Sequence, residues 1–120
     1  MVIYGKGFTI KESKFDYFFG RVTSDPDNTK RSLQNLRELR RLGIDEALRG
    51  RERLLQLFEE GLNAPEISDR RITKYGINIT RQVQVSGPQE SGAILISYYY
   101  PEGDLSATPQ VTSIIPKIYQ

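Results

Sequence analysis

The chain has 120 residues, 38% apolar and 27% charged, and its 17 basic and 15 acidic residues leave a net charge of only +2. That length predicts a single domain over residues 1–120, with a composition that folds rather than one that stays disordered. Cys and His are both absent, which excludes disulfides, thiol nucleophiles, Cys- or His-ligated metals and histidine general-base catalysis.

From the N-terminus, Val2-Ile3-Tyr4 and Phe8-Thr9-Ile10 read as one short strand or an extended lead-in, broken by Gly5 and Gly7. Residues 12–19 predict a short helix, because Phe15, Phe18 and Phe19 recur at spacings of three and four, and Gly20 is its stop. Asp25-Pro26 opens a second helix: the aspartate caps free amides and proline suits the first helical position. Leu33, Leu36, Leu39 and Leu42 are its expected buried stripe, Arg40 and Arg41 fill its last turn and Gly43 ends it. A third helix is predicted from Asp45 to Glu60 or Gly61, with Leu48, Leu54, Leu55, Phe58 and Leu62 inward. Gly50 in its middle costs about 1 kcal/mol.

After Ile67 the helix-period leucines give way to β-branched and aromatic residues at period two. Ile77–Val85, Ala93–Tyr100 and Val111–Ile115 are predicted strands, the last closed by Pro116, and Ile72–Tyr75 is a candidate fourth. Residues 87–92 are a hairpin loop. The expected fold class is α+β, with N-terminal helices packed on one face of a C-terminal antiparallel sheet of three to four strands.

Residues 30–53 carry eight cations against four anions, and residues 54–69 carry four anions and no cation. Such a step either polarises the surface or pairs charges between helices. Arg81 stands out more, since the odd positions of its strand read Ile77, Ile79, Arg81, Val83, Val85. A charge on an apolar face must be paired, turned out by a bulge, or open to a cleft where its fork grips phosphate. Lys74, Tyr75 and Arg81 beside Tyr98, Tyr99 and Tyr100 put cations next to phenols, a combination that binds RNA by stacking and charge neutralisation. The same groups could cleave RNA, a cation stabilising the phosphorane and a lysine or tyrosine moving the proton. The alternative is a tyrosine run that is half core and half surface. Asn28-Thr-Lys-Arg-Ser32 reads either as helix capping with solvated charge or as Arg31 and Ser32 facing a cleft beside the sheet. The carboxylates show no metal-ligand motif.

Two phrases resemble the C-terminal toxin-like domain of bacterial polymorphic secreted proteins of the contact-dependent or filamentous-haemagglutinin type. Lys14-Phe-Asp-Tyr-Phe-Phe-Gly-Arg-Val22, then Asp25-Pro-Asp-Asn28 and Arg31-Ser32, are similar to that family's "DYLxGK/RV", "NPHN" and "RS". Gly43-Ile44 and Thr112-Ser-Ile-Ile-Pro116 also fit its pattern. The resemblance implies a compact α+β nuclease with helices on a four-stranded antiparallel sheet. The family's His is Asp27 here, so an activity that needs that His would be lost or carried by other residues. The chain opens at Met1 without a delivery region, which fits an excised domain or a free-standing relative.

The expectation is therefore a toxin-like RNA-binding or RNA-cleaving domain that needs no metal and no cofactor. The alternative is a non-enzymatic interaction or oligomerisation module. Lys74, Arg81 and Arg31 are the candidate catalytic residues, with Ser32, Asn28, Tyr98, Tyr100 and Thr112 contacting substrate. Expected partners are RNA, an immunity or other partner protein and a second copy of the chain. The absence of a signal peptide and of an apolar run of roughly 18 residues predicts a cytoplasmic site of action and no membrane partner.

Overall fold

The computed structural model describes residues 1–119. Its elements run β1 (Val2–Tyr4), β2 (Thr9–Lys11), α1 (Lys14–Phe18), α2 (Pro26–Arg41), α3 (Gly50–Gly61), β3 (Arg71–Ile72), β4 (Gly76–Ser86), β5 (Ser91–Pro101) and β6 (Gln110–Ile118). All six strands join one sheet in the order β1-β2-β6-β5-β4-β3.

This corrects the predicted α+β layout of N-terminal helices on an antiparallel sheet of three to four strands. Two strands precede the helices, and the sheet is mixed because β2 runs parallel to β6, Thr9 and Ile10 facing Gln110 and Val111. A three-residue strand holds too few alternations to register as a period-two pattern. The hairpin is held by buried anchors instead: Phe8 and Ile10 are fully enclosed, and the Thr9 N–H donates to the Pro109 carbonyl at 2.9 Å.

In α2 the Asp25 carboxylate caps the Asn28 N–H at 2.9 Å, with Pro26 in the first turn. The predicted leucine stripe only partly faces inward. Residues three apart drift by about 60° around a helix of 3.6 residues per turn, so Leu39 is enclosed while Leu33 is 43% exposed. Ser32 and Asn35 take the inner positions that Leu33 leaves. α3 starts at Gly50 rather than Asp45. Glu46–Leu48 form a separate 3-10 turn, Leu48 points outward, and Arg49 adopts φ 64° at the joint. Gly50 is thus the first helical residue, and a Cβ there would lie 2.6 Å from the Asp45 carbonyl carbon.

The core lies between the helices and the sheet face that carries Ile79, Val83, Val85, Ile94, Ile96 and Tyr98. Pairing of β4 with β5 is unbroken from Gly76↔Pro101 to Ser86↔Ser91. Between β5 and β6 the register slips: Ser97 faces Ser113 but Tyr98 faces Val111, leaving Thr112 as the extra residue of a bulge. β6 continues through Pro116 to Ile118. Among the described residues its outer side has no strand partner beyond Val111, so the missing proline N–H costs no ladder bond.

Candidate functional site

The strand register arranges the second sheet face in rows. Arg71, Asn78, Tyr99 and Gln110 lie opposite one another across β3, β4, β5 and β6. Thr80, Ser97 and Ser113 form the next row, with bulged Thr112 beside it. These side chains alternate with the core-facing residues, so these two rows are polar where the opposite face is apolar, whereas farther along the same face Leu95 and Ala93 are buried. The Thr112 hydroxyl donates to the Ser97 carbonyl at 3.3 Å, and the Thr80 and Ser97 hydroxyls are 3.3 Å apart.

Over these two rows opens a cleft of about 320 Å³, walled by Ser68, Asp69 and Arg71. Its wall exists because Pro65–Ile67 pair with the edge of β4: the Gln82 N–H donates to the Pro65 carbonyl and the Ile67 N–H to the Thr80 carbonyl. The bidentate Glu66–Arg70 ion pair ties the segment back on itself and holds the Glu66 carboxyl below the usual range. Neither Asp69 nor Arg71 joins an ion pair among the described residues. The Asn78 Oδ1 is buried in the floor and accepts no hydrogen bond.

Two further clefts meet this one at Ser113. One, about 440 Å³, lies between Lys11, Lys14, Tyr17 and the bulge. The other, about 460 Å³, is lined by Tyr17, Arg31, Asn35 and the Ser113–Pro116 edge. Lys11, Lys14 and Arg31 are likewise free of ion pairs among the described residues, whereas Arg21, Arg40, Arg41, Arg51, Arg53 and Arg70 all hold carboxylates. Four of the unpaired cations, Lys11, Lys14, Arg31 and Arg71, thus line this connected groove, while others such as Lys30 and Arg37 lie elsewhere. That geometry suits a polyanion laid across the sheet.

Of the sequence-predicted site residues, the structure brings Arg31 and Thr112 to the groove. Arg81 sits on the helix side, as the alternation implies, where its Nη1 donates to the Ala64 carbonyl at 2.6 Å and its buried Nε has no partner. It lines none of the three clefts. Tyr98 has no accessible surface and donates to the Phe58 carbonyl at 2.6 Å; burial pushes its phenol well above the usual tyrosine range. Tyr100 is 8% exposed on the same face. Neither ring has a free face for a base. The Ser32 hydroxyl, fully buried, donates to the Tyr17 carbonyl at 2.6 Å and ties α1 to α2. Asn28 is held by the Asp25 cap, and Lys74 lies on the β3–β4 turn with its ammonium 5.0 Å from the Tyr75 ring centre. Asp27 lies exposed in the first turn of α2, outside all three clefts.

Sequence reasoning did not single out Asp69, Arg71, Asn78 and Ser97, and it named Tyr99 only within the tyrosine run. The signal was present in the other half of each alternation. The even residues of β4, Asn78-x-Thr80-x-Gln82-x-Gln84, are polar throughout, and Tyr99 is the one tyrosine of its run on that face. Its hydroxyl donates to the Tyr75 carbonyl at 2.8 Å. Its ring lies against Gly76, where a Cβ would come within 2.7 Å of it.

No protein-family model and no curated protein sequence matches the chain. Among solved structures it is similar to a chain of the contact-dependent growth inhibition toxin–immunity protein complex from Klebsiella pneumoniae 342, with a TM-score of 0.73. Identity is 23%, over 90% of this chain and 98% of that one. The likeness is one of fold.

Proposed function

We propose that this chain is a toxin-like domain that binds RNA across the open sheet face and cleaves it without a metal or a histidine. The reading is carried by one observation: a cleft holding an unpaired carboxylate, Asp69, and an unpaired guanidinium, Arg71, at the end of a groove of unpaired cations. The fold shared with a chain of a toxin–immunity protein complex supports the toxin reading, as do the phrases around Asp16 and Ser32.

In this reading Lys11, Lys14 and Arg31 hold backbone phosphates as the strand crosses the bulge. Arg71 grips the phosphate that reacts, its fork matching two phosphate oxygens. Asp69 takes the proton from the ribose 2′-hydroxyl as its oxygen attacks phosphorus. The 5′-oxygen of the next nucleotide leaves and takes a proton from water, and a 2′,3′-cyclic phosphate remains. Thr80, Ser97, Thr112 and Ser113 offer hydroxyls to sugar and phosphate oxygens. The same groove would be the surface that an inhibitory partner protein covers.

The test is incubation of the purified protein with total RNA at low ionic strength, in the presence of a chelator. Products ending in cyclic phosphate are expected, and Asp69→Asn should slow their release by about 10²–10⁴, the usual contribution of a general base. Absence of both cleavage and salt-sensitive binding contradicts the proposal.

A further inference from the structure

The cleft between α2 and β6 holds hydrogen-bonding groups that no other described residue uses. On its strand wall, the Tyr119 N–H donates to the Ser91 carbonyl at 2.9 Å, which sets the alternation back along β6. Lys117 and Ile115 therefore turn their backbone groups toward β5, and Ile114 and Pro116 turn theirs outward. β6 pairs with β2 only as far as Val111. Ile114 thus presents an N–H and a carbonyl, and Pro116 a carbonyl, to a cleft of about 460 Å³ that both residues line.

On its helix wall stand Gln34, Asn35 and Glu38. Gln34 and Glu38 bond each other at 3.2 Å. Asn35 is only 9% exposed and joins no hydrogen bond among the described residues, yet its amide is not sealed off as Asn78 Oδ1 is. The walls match in length, since Ser113–Pro116 and the helical run from Arg31 to Glu38 each cover about 10 Å. Ile115, on the open face of the same strand, is 55% exposed.

We infer that this cleft receives an extended segment of a partner polypeptide, which adds to the sheet as a strand beside β6. The order of donors and acceptors points to that occupant. One edge of a peptide backbone pairs with the Ile114 N–H and carbonyl and the Pro116 carbonyl. Its other edge meets the Asn35 side chain, whose amine and carbonyl match the carbonyl and N–H of a peptide. An RNA backbone does not suit this order, because its phosphates only accept and would face two free carbonyls. Ile115 gives the incoming strand an apolar neighbour, beside which a β-branched or aromatic residue packs well. Pro116 supplies no donor, so the ladder is short and the Asn35 pairing adds to it. This docking is independent of RNA cleavage, for it uses neither Asp69 and Arg71 nor the lysines beside the bulge.

Asn35 holds nothing together in the free protein. Its replacement therefore breaks no bond of the fold, and Asn35→Leu should leave the melting temperature unchanged or raise it.

The experiment pans a phage-displayed library of random octapeptides against the full chain, then measures the recovered sequences as labelled synthetic peptides by fluorescence anisotropy. Recovered peptides should carry β-branched or aromatic residues at alternate positions and should protect the Ile114 amide from hydrogen exchange. N-methylation should abolish binding at the residues facing β6 and be tolerated between them, apart from the one opposite Asn35. Asn35→Leu should weaken binding about tenfold, the scale of one or two hydrogen bonds. Ile115→Asp, on the exposed face, should weaken it as well and serves if the Asn35 variant fails to fold. No recovered peptide, or binding indifferent to N-methylation and to both substitutions, overturns the inference. So does protection of the Ile114 amide by a uracil oligonucleotide in place of the peptides, or a chain that dimerises through this edge with no peptide present. Failure to bind or cleave RNA would remove the ribonuclease reading alone.

Discussion

Arg81 shows how one residue's partners decide what it is for. Its place on the apolar face of β4 made it conspicuous, and that place is where the structure puts it. The atom it meets is a carbonyl, Ala64 O, rather than a substrate or a carboxylate. Ala64 follows α3, so the guanidinium pins the end of that helix to the sheet. Its buried, unpartnered Nε is a desolvation cost accepted for that contact. Arg81→Ala should therefore destabilise the fold by about 1–3 kcal/mol, the scale of a charged hydrogen bond to a buried group. It should leave RNA affinity in the surviving folded fraction unaltered. Chemical denaturation alongside binding assays checks both; a variant as stable as the parent but unable to bind RNA would return Arg81 to the functional site.

At the scale of elements, local strain marks where the helical reading failed. Arg49 at φ 64° separates the 3-10 turn from α3, in a conformation that costs an ordinary residue about 1–2 kcal/mol. Arg49→Gly relieves that strain and loses part of the gain to unfolded-chain entropy. A net stabilisation of about 0.5–1 kcal/mol is expected from denaturant midpoints; a loss of stability would mean that the Arg49 side chain makes a contact worth more than the strain. The strands with long alternations, β4 and β5, were legible because eleven residues repeat the pattern several times. β1, β2 and β3, at two or three residues each, were readable only as one short strand or lead-in and a candidate strand near Ile72, without their number or their pairing. Their pairing is set by tertiary anchors such as Phe8 and Ile10. The same contrast governs the site. Arg31 was readable as a helix cation, and Thr112 through its resemblance phrase. The cleft itself arises from the register that aligns Arg71, Asn78 and Tyr99, and from Pro65–Ile67 docking on β4. Neither is a property of any local run of residues.

At the scale of the whole molecule, the two sheet faces divide the labour. One is closed by three helices and holds Tyr98, Tyr100 and Arg81 as structural parts. The other carries amides and hydroxyls in the rows of Asn78 and Thr80, next to buried Leu95 and Ala93, and those rows are bordered by clefts that Lys11, Lys14, Arg31 and Arg71 line. Four cations without ion pairs among the described residues stand where a phosphate backbone would run, and six of the other arginines are tied to carboxylates. No helix among the described residues is long and apolar enough to cross a membrane. The central claim is that the open face, and not the helical surface, is where RNA lies. Amide chemical-shift mapping during titration with an uncleavable RNA tests it most directly. The account predicts shifts concentrated at Asp69, Arg71, Asn78, Ser97, Thr112 and Ser113, extending to Lys14 and weakening as salt is raised. Shifts confined to the outer faces of α2 and α3, with the sheet rows unmoved, would contradict it.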